Sequence, residues 1–535
     1  MLRFAVFDDA GPHPAFPLRH AHIVGKDDIV TPGSVDVGPG LITCRKARDE
    51  AAALALQFDA GPAGLLTLQT CLLPDRDEPY LLELELARHR IMMVLVNLEE
   101  WGQADMAPDH PVLTQLDESR EKFTAALVAH PPRTSGYTPE QARLARQSLI
   151  SAIEAGERLA LLVAEEQLTA RLRRLSDAPI DDDAEPGTPA PTPASRTPKI
   201  GCTVHSDQFA EPLQRILASN VDFICAPMRW RELEREEGIY DFTPTDRWIE
   251  WAVRAGKKPV VSGPVLDFSA NVAPGWLHVW EHDYDTLREF AFEHLKRVVT
   301  RYRRTVQRWT VISAVNVNEG FSFSLDQMID LTRLSALAVR KLHPGARVLV
   351  EVSEPWGEGG TDNPRTLSPL LYARLVVEAG IGVDAIALRL QCGDDRPGRS
   401  TRDLMQLSTL LDNYTRLERP IHVTAFGAPA EQVTPQTPDI HPGYWRSPWS
   451  PEQQAAWLTQ AATVILSKPS VRSLCWQALF DSPKNPEMVS GGLISADGRA
   501  RPALKSFTDL IGALRLGRAP NLATQEPTGA LAAAR

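Results

Sequence analysis

The chain has little of what marks the specialised protein classes. Its 535 residues include six cysteines, Cys44, Cys71, Cys202, Cys225, Cys392 and Cys475. They are scattered and form no CxxC pair or Cys/His cluster, which points to buried reduced thiols rather than disulfides or a metal site. No metal or other cofactor is expected. No uncharged apolar run has the length of a membrane helix. The first residues, MLRFAVFDDAGPHPAF, lack the basic start and apolar run of a signal peptide. These absences predict a cytoplasmic protein with no membrane partner. Basic residues are also in deficit, 57 Lys and Arg against 68 Asp and Glu. The net charge of −11 is spread along the chain, which argues against a nucleic-acid partner.

What is present is an ordinary soluble composition, 43% apolar and 23% charged, over a length that suggests two or three domains. Residues 1–105 are read as strand-rich. LITCRK, ALALQFDAG, GLLTLQTCLL and PYLLELELARHRIMMVLVNLEE are apolar or alternating runs between Gly, Pro and Asp. They suggest an all-β sandwich or jelly roll, a topology that would favour a carbohydrate-binding role. In 106–175 the apolar spacing turns helical, and the break PPRTSGYTP makes a helical hairpin. A Pro/Asp/Thr-rich linker is expected over 176–198 and a loose tail over 516–535.

Between linker and tail, strand and helix patterns alternate. KIGCTVH, VDFICAPMRW, KPVVSGPVLDF, VQRWTVISAVNV, ARVLVEVSEPW, VDAIALRLQCG, PIHVTAFG and VRSLCWQALFD supply eight candidate strands. Eight β/α repeats predict a TIM (β/α)8 barrel over 199–515, with chemistry at the strands' C-terminal ends. A doubly wound sheet is the competitor, but no Gly-rich dinucleotide loop follows the first strand. One strand end is conspicuous. RPIHVTAFGAP offers Thr424, Ala425 and Phe426 where a barrel enzyme carries a proton donor or a nucleophile.

MRWRELEREEGIYDFTPTDRWIEWAVRAGK (228–257), PGWL, VDAIALRLQ, RPIHVTAFG and GLISADGRARPALKSF fall in the order of a known pattern. On these motifs the region 199–515 resembles glycoside hydrolase family 10, the endo-β-1,4-xylanase family. The resemblance implies a barrel acting on a β-linked poly- or oligosaccharide through two glutamates. One would protonate the leaving oxygen; the other, about 5 Å away, would form a glycosyl ester. The family's acid ends the fourth strand in a Trp-x-x-x-Asn-Glu pattern, and its nucleophile ends the seventh in Thr-Glu. Here the corresponding positions are Ala314 and Ala425. The third strand's Gly-His is Gly263-Pro264, the sixth strand's His is Gln391, and the second strand's Lys is Arg229.

Polar groups remain near the expected mouth. NVNEG places Asn316, Asn318 and Glu319 after the fourth strand, and a bulge or register shift there would bring Glu319 to the acid position. EVSEPWGEGG places Glu351, Glu354, Trp356 and Glu358 after the fifth, an aromatic plate beside carboxylates. Arg229, Asp267, Gln391, Asp394, Asp395 and Trp476 complete the candidates; His205 and His422 read as structural. Three functions follow. The first is a non-hydrolytic carbohydrate-binding pseudoenzyme of carbohydrate metabolism. The second is a glycosidase whose carboxylate pair has moved to Glu319 and Glu354. The third is a structural protein that self-assembles into a homo-oligomer through its N-terminal domains.

Overall fold

The computed structural model describes residues 1–129, 136–177, 197–269, 272–361, 363, 365–394, 396, 398–433, 441–482, 488–520 and 522. Most of the expected linker (178–196), much of the expected tail and Asp395 lie outside them.

The N-terminal part is built from β1 (Leu2–Ala5), β2 (His22–Val24), β3 (Gly33–Gly38), β4 (Leu41–Lys46), β5 (Ala53–Asp59), β6 (Gly64–Gln69) and β7 (Tyr80–Leu81). Three helices follow, α1 (Leu82–Glu100), α2 (Pro111–Val128) and α3 (Pro139–Asp177). The expectation of strand up to residue 105 is therefore corrected for α1. Its opening LELELA alternates like a strand, but Glu83, Ala87, Arg90, Val94 and Asn97 are its buried residues at three- and four-residue steps. With no Gly or Pro to interrupt it, the helical period wins. α2 and α3 run antiparallel, as Gln115 meets Glu154 and Ser119 meets Ser148.

With a short strand from the barrel part, β17 (Tyr444–Trp445), the N-terminal strands form two four-stranded sheets, ordered β3-β4-β1-β7 and β17-β6-β5-β2. Phe4, Ile42, Leu54, Leu66, Leu86 and Ile153 put both sheets, α1 and α3 in one core.

The barrel comprises β8 (Lys199–Thr203), β9 (Phe223–Ala226), β12 (Val260–Asp267), β13 (Val306–Ser313), β14 (Arg347–Val352), β15 (Ala385–Gln391), β16 (Ile421–Gly427) and β18 (Val471–Trp476). A small hairpin of β10 (Glu234–Glu236) and β11 (Ile239–Tyr240) interrupts the series. The eight strands close in the order β12-β13-β14-β15-β16-β18-β8-β9, and every neighbouring pair is parallel. All eight predicted segments contain their strand. Near-continuous apolar runs mark strands covered on both faces, which is why they were legible.

The two parts are tied together. Strand β17 (Tyr444–Trp445) leaves the loop after β16 and pairs antiparallel with β6 of the N-terminal sheet. Buried Glu157 of α3 accepts hydrogen bonds from Trp445 Nε1 (2.5 Å), Arg446 Nη2 (3.0 Å) and the Leu404 amide (3.3 Å). Arg90 of α1 pairs with Asp403, the residue that caps helix Leu404–Thr415, and both are buried. Near its other end α3 sends Arg171 to the carbonyls of Leu466, Lys468 and Val471 at 2.7–2.8 Å. Among the described residues no helix is long and apolar enough to cross a membrane.

Candidate functional site at the barrel mouth

A cavity of about 60 Å³ opens among the C-terminal ends of the strands; Arg229, Asp267, Glu351, Arg389, Thr424, Ala425 and Gln477 are part of its lining. Its centre is an ionic brace. Arg389, on the sixth strand, gives Nε to Glu351 Oε1 and Nη2 to Asp267 Oδ2, both at 2.5 Å. Ser313, the last residue of the fourth strand, donates to Glu351 Oε1 at 2.6 Å, and Thr424 of the seventh donates to Oε2. Asp267 Oδ1 in turn accepts from the Ser269 amide. One guanidinium thus joins the third, fifth and sixth strands, with hydroxyls drawing in the fourth and seventh. Arg389, Asp267 and Glu351 are nearly inaccessible, so each carboxylate is desolvated and held by its cation.

The two positions where the resemblance expects glutamates behave differently. Ala425 lies opposite Arg389 in the β15–β16 pairing, and the register shifts between Leu388 and Arg389 so that Thr424 bulges out. That extra residue lets Thr424 and Ala425 both face the cavity. Ala314 is buried and left-handed (φ 58°), and it accepts from the amides of Val317 and Asn318 as the chain turns away. No extension of β13 carries Glu319 to the strand end; it sits beyond this turn, exposed.

Asn316 and Asn318, expected to meet a substrate, instead secure the loop. Asn316 Nδ2 donates to the Ser353 carbonyl at 3.1 Å, and Asn318 exchanges hydrogen bonds with the backbone of Phe323. Both are buried by the loop they hold. Trp476 is also corrected. It is fully buried, donates to the Gly491 carbonyl (3.1 Å) and meets Phe426 edge-on, as an inward residue in the core does. Trp356 is no plate at the mouth. After β14 the backbone turns through left-handed Glu354 and Gly357, and the Trp356 ring lies under the Arg402 guanidinium at 4.4 Å, lining a different cleft. Glu358 is buried nearby against Arg402 and Ser400; burial opposes its charge, but Arg402, His22 and Ser400 hold its pKa at about 2.

Glu354 differs from these. It stands against Gly398, where any Cβ would come within 2.4 Å of Glu354 Cγ, so only glycine admits it. Its Oε2 is buried with no hydrogen-bond partner among the described residues. Burial first, then the charges of Glu319 and Glu358, push its pKa up to about 8, while Arg399 and Arg389 pull the other way. It is a neutral carboxylic acid at pH 7.

Arg229 lines the mouth and pairs with Glu232 at 3.2 Å. Gln391 Nε2 donates to Gln477 Oε1, which leaves Gln391 Oε1 and Gln477 Nε2 as a buried acceptor and donor without partners among the described residues. His205 also lines the cavity; burial, then Arg229, lowers its pKa to about 4, so the ring is neutral. Asp394 is nearly buried and held by Arg396 and Arg399. Sequence reasoning placed Thr424 at the mouth but missed Arg389 and Gln477. The signal for the first was an arginine inside the apolar run AIALRLQ, which demands a buried carboxylate. Among the described residues no cluster of His, Cys, Asp and Glu is arranged to hold a metal ion.

Comparison with known proteins agrees with this barrel. Residues 193–332 match the sequence model of glycosyl hydrolase family 10. A beta-1,4-xylanase of Dictyoglomus thermophilum is 33% identical over 86 residues, 16% of this chain and 23% of that protein. Endo-1,4-beta-xylanase B of Thermotoga neapolitana is 29% identical over 93 residues, 17% of this chain and 26% of its own length. The chain thus spans about a quarter of these relatives. The crystal structure of native xylanase 10B from Thermotoga maritima covers 60% of this chain and 97% of that one, at 14% identity and a TM-score of 0.45. The segment 193–332, the first part of the barrel, is thus similar to glycosyl hydrolase family 10. The matched segment includes Ala314 and ends well before Ala425.

Proposed function

We propose that the barrel is a carbohydrate-binding relative of the family 10 xylanases that does not hydrolyse its glycan. The observation that carries this reading is the mouth itself. The seventh-strand end presents Ala425, and the nearest carboxylates, Glu351 and Asp267, are both tied to Arg389. Both carboxylates are engaged by the guanidinium rather than turned to a ligand, and an alanine forms no glycosyl ester. Gln477 lines the mouth, and its Nε2, a donor without a partner among the described residues, suits a sugar oxygen. His205 is the one aromatic ring among the described lining residues, so affinity would rest on hydrogen bonds and be modest, with Kd near 1 mM, roughly −4 kcal/mol.

Equilibrium titration with xylotetraose tests the site. Gln477→Ala is expected to weaken binding at least several-fold, and Trp356→Ala, whose ring lies elsewhere, to leave it unchanged. The reverse pattern would move the sugar site away from the mouth.

A second reading rests on one observation, the neutral, unpartnered Glu354. A carboxyl with a pKa near 8 has the character of a general acid. In that reading Glu354 protonates a leaving oxygen, exposed Glu319 activates water, and Glu319→Gln abolishes turnover. The first reading expects no turnover to lose.

A further inference from the structure

We propose a second binding site, for a small organic anion with an apolar body, in the cleft between the N-terminal part and the barrel. The cleft holds about 650 Å³, within the range of sites that enclose small molecules. It shares no lining residue with the mouth, so the proposal is independent of the glycan reading. One wall is β2, β5, β6 and α1; the other is helices Pro369–Glu378 and Leu404–Thr415 with Trp356 before them.

Arginine is over-represented in it: among its described lining residues are Arg90, Arg374, Arg402 and Arg416 with one carboxylate, Asp28, in a protein of net charge −11. Arg90, Arg402 and Arg416 are paired with Asp403, Glu358 and Glu100, none of which lines the cleft. Arg374 is exposed and makes no ion pair among the described residues. Low-dielectric walls beside such a cluster concentrate its field on an incoming anion. Between the arginines the surface is apolar, with Met93, Leu370, Leu371, Met405 and Leu410 beside the Trp356 ring.

Tyr414 adds an independent sign. It lines the cleft, is 1% exposed, and its hydroxyl has no partner among the described residues. A buried hydroxyl left without a hydrogen bond is costly, and an acceptor on a ligand would relieve it. A carboxylate and a phosphate ester satisfy these groups equally, and each must carry an apolar chain or ring to fill the space between Trp356 and Leu410.

Calorimetric titration with octanoate, octyl phosphate, 1-octanol and inorganic phosphate tests the site. Saturable binding of one or both octyl anions is expected, at least ten-fold tighter than the neutral alcohol or inorganic phosphate; which anion binds identifies the head group. Arg374→Glu should weaken it ten-fold or more and Tyr414→Phe several-fold, with xylotetraose binding unchanged in both. Absence of saturable binding by either octyl anion would overturn the proposal. So would wild-type affinity in both variants, or an alcohol that binds as tightly as the anions.

Discussion

Arg389→Met is expected to destabilise the protein by about 3–5 kcal/mol at pH 7, measured by chemical denaturation, because it leaves two buried carboxylates without their cation. Methionine replaces most of the side-chain volume, so packing loss is a small part of the effect. The charge argument has its own control. Adding Asp267→Asn and Glu351→Gln to Arg389→Met should recover most of the loss, since the uncompensated charges are then gone. A triple variant as unstable as the single one would mean that Arg389 acts by shape and not by pairing Asp267 and Glu351.

The second large effect has the opposite sign. Glu354→Gln is expected to stabilise the fold, and to do so more as the pH rises. Unfolded, this carboxyl ionises near its ordinary 4.5; folded, burial and the neighbouring Glu319 and Glu358 hold it neutral to about 8. Between those values the native state keeps a proton that the unfolded chain has lost, so wild-type stability falls as pH rises through the window and levels off above it. At about 1.4 kcal/mol per pKa unit the cost at pH 8 is on the order of 4–5 kcal/mol. Thermal unfolding of wild type and variant should therefore nearly coincide at pH 4.5 and diverge towards pH 8. Curves that stay parallel would place Glu354 in water.

Much of the barrel was legible because its strands are continuous apolar runs, and the loss at position 425 could be read because the motif around it survives in RPIHVTAFG. The rest depended on encounters that no local pattern encodes. Asp267, Glu351 and Arg389 stand far apart in the chain and meet only through the stagger of three barrel strands. Trp356 was placed beside the carboxylates by its neighbours in sequence, but left-handed Glu354 turns the chain before it and sends the ring to the outer cleft. The first six residues of α1 alternate as a strand does, while the helical period of the residues after them decides the element; Arg90 within it finds its partner, Asp403, only on the barrel. Strand β17, a barrel loop that completes the N-terminal sheet, leaves no signal beyond two aromatic residues.

The account turns on whether a mouth with Ala425 and an Arg389-bound Glu351 and Asp267 performs hydrolysis. Removing the nucleophile of a two-carboxylate mechanism costs many powers of ten in rate. Prolonged incubation of the purified protein with xylohexaose, followed by chromatographic separation of the products, measures this directly. The expected result is intact xylohexaose at every pH between 4 and 8, under conditions where calorimetry detects binding. Release of shorter xylo-oligosaccharides at ordinary enzyme rates, abolished by Glu319→Gln or Glu354→Gln, would contradict it and establish the relocated pair instead.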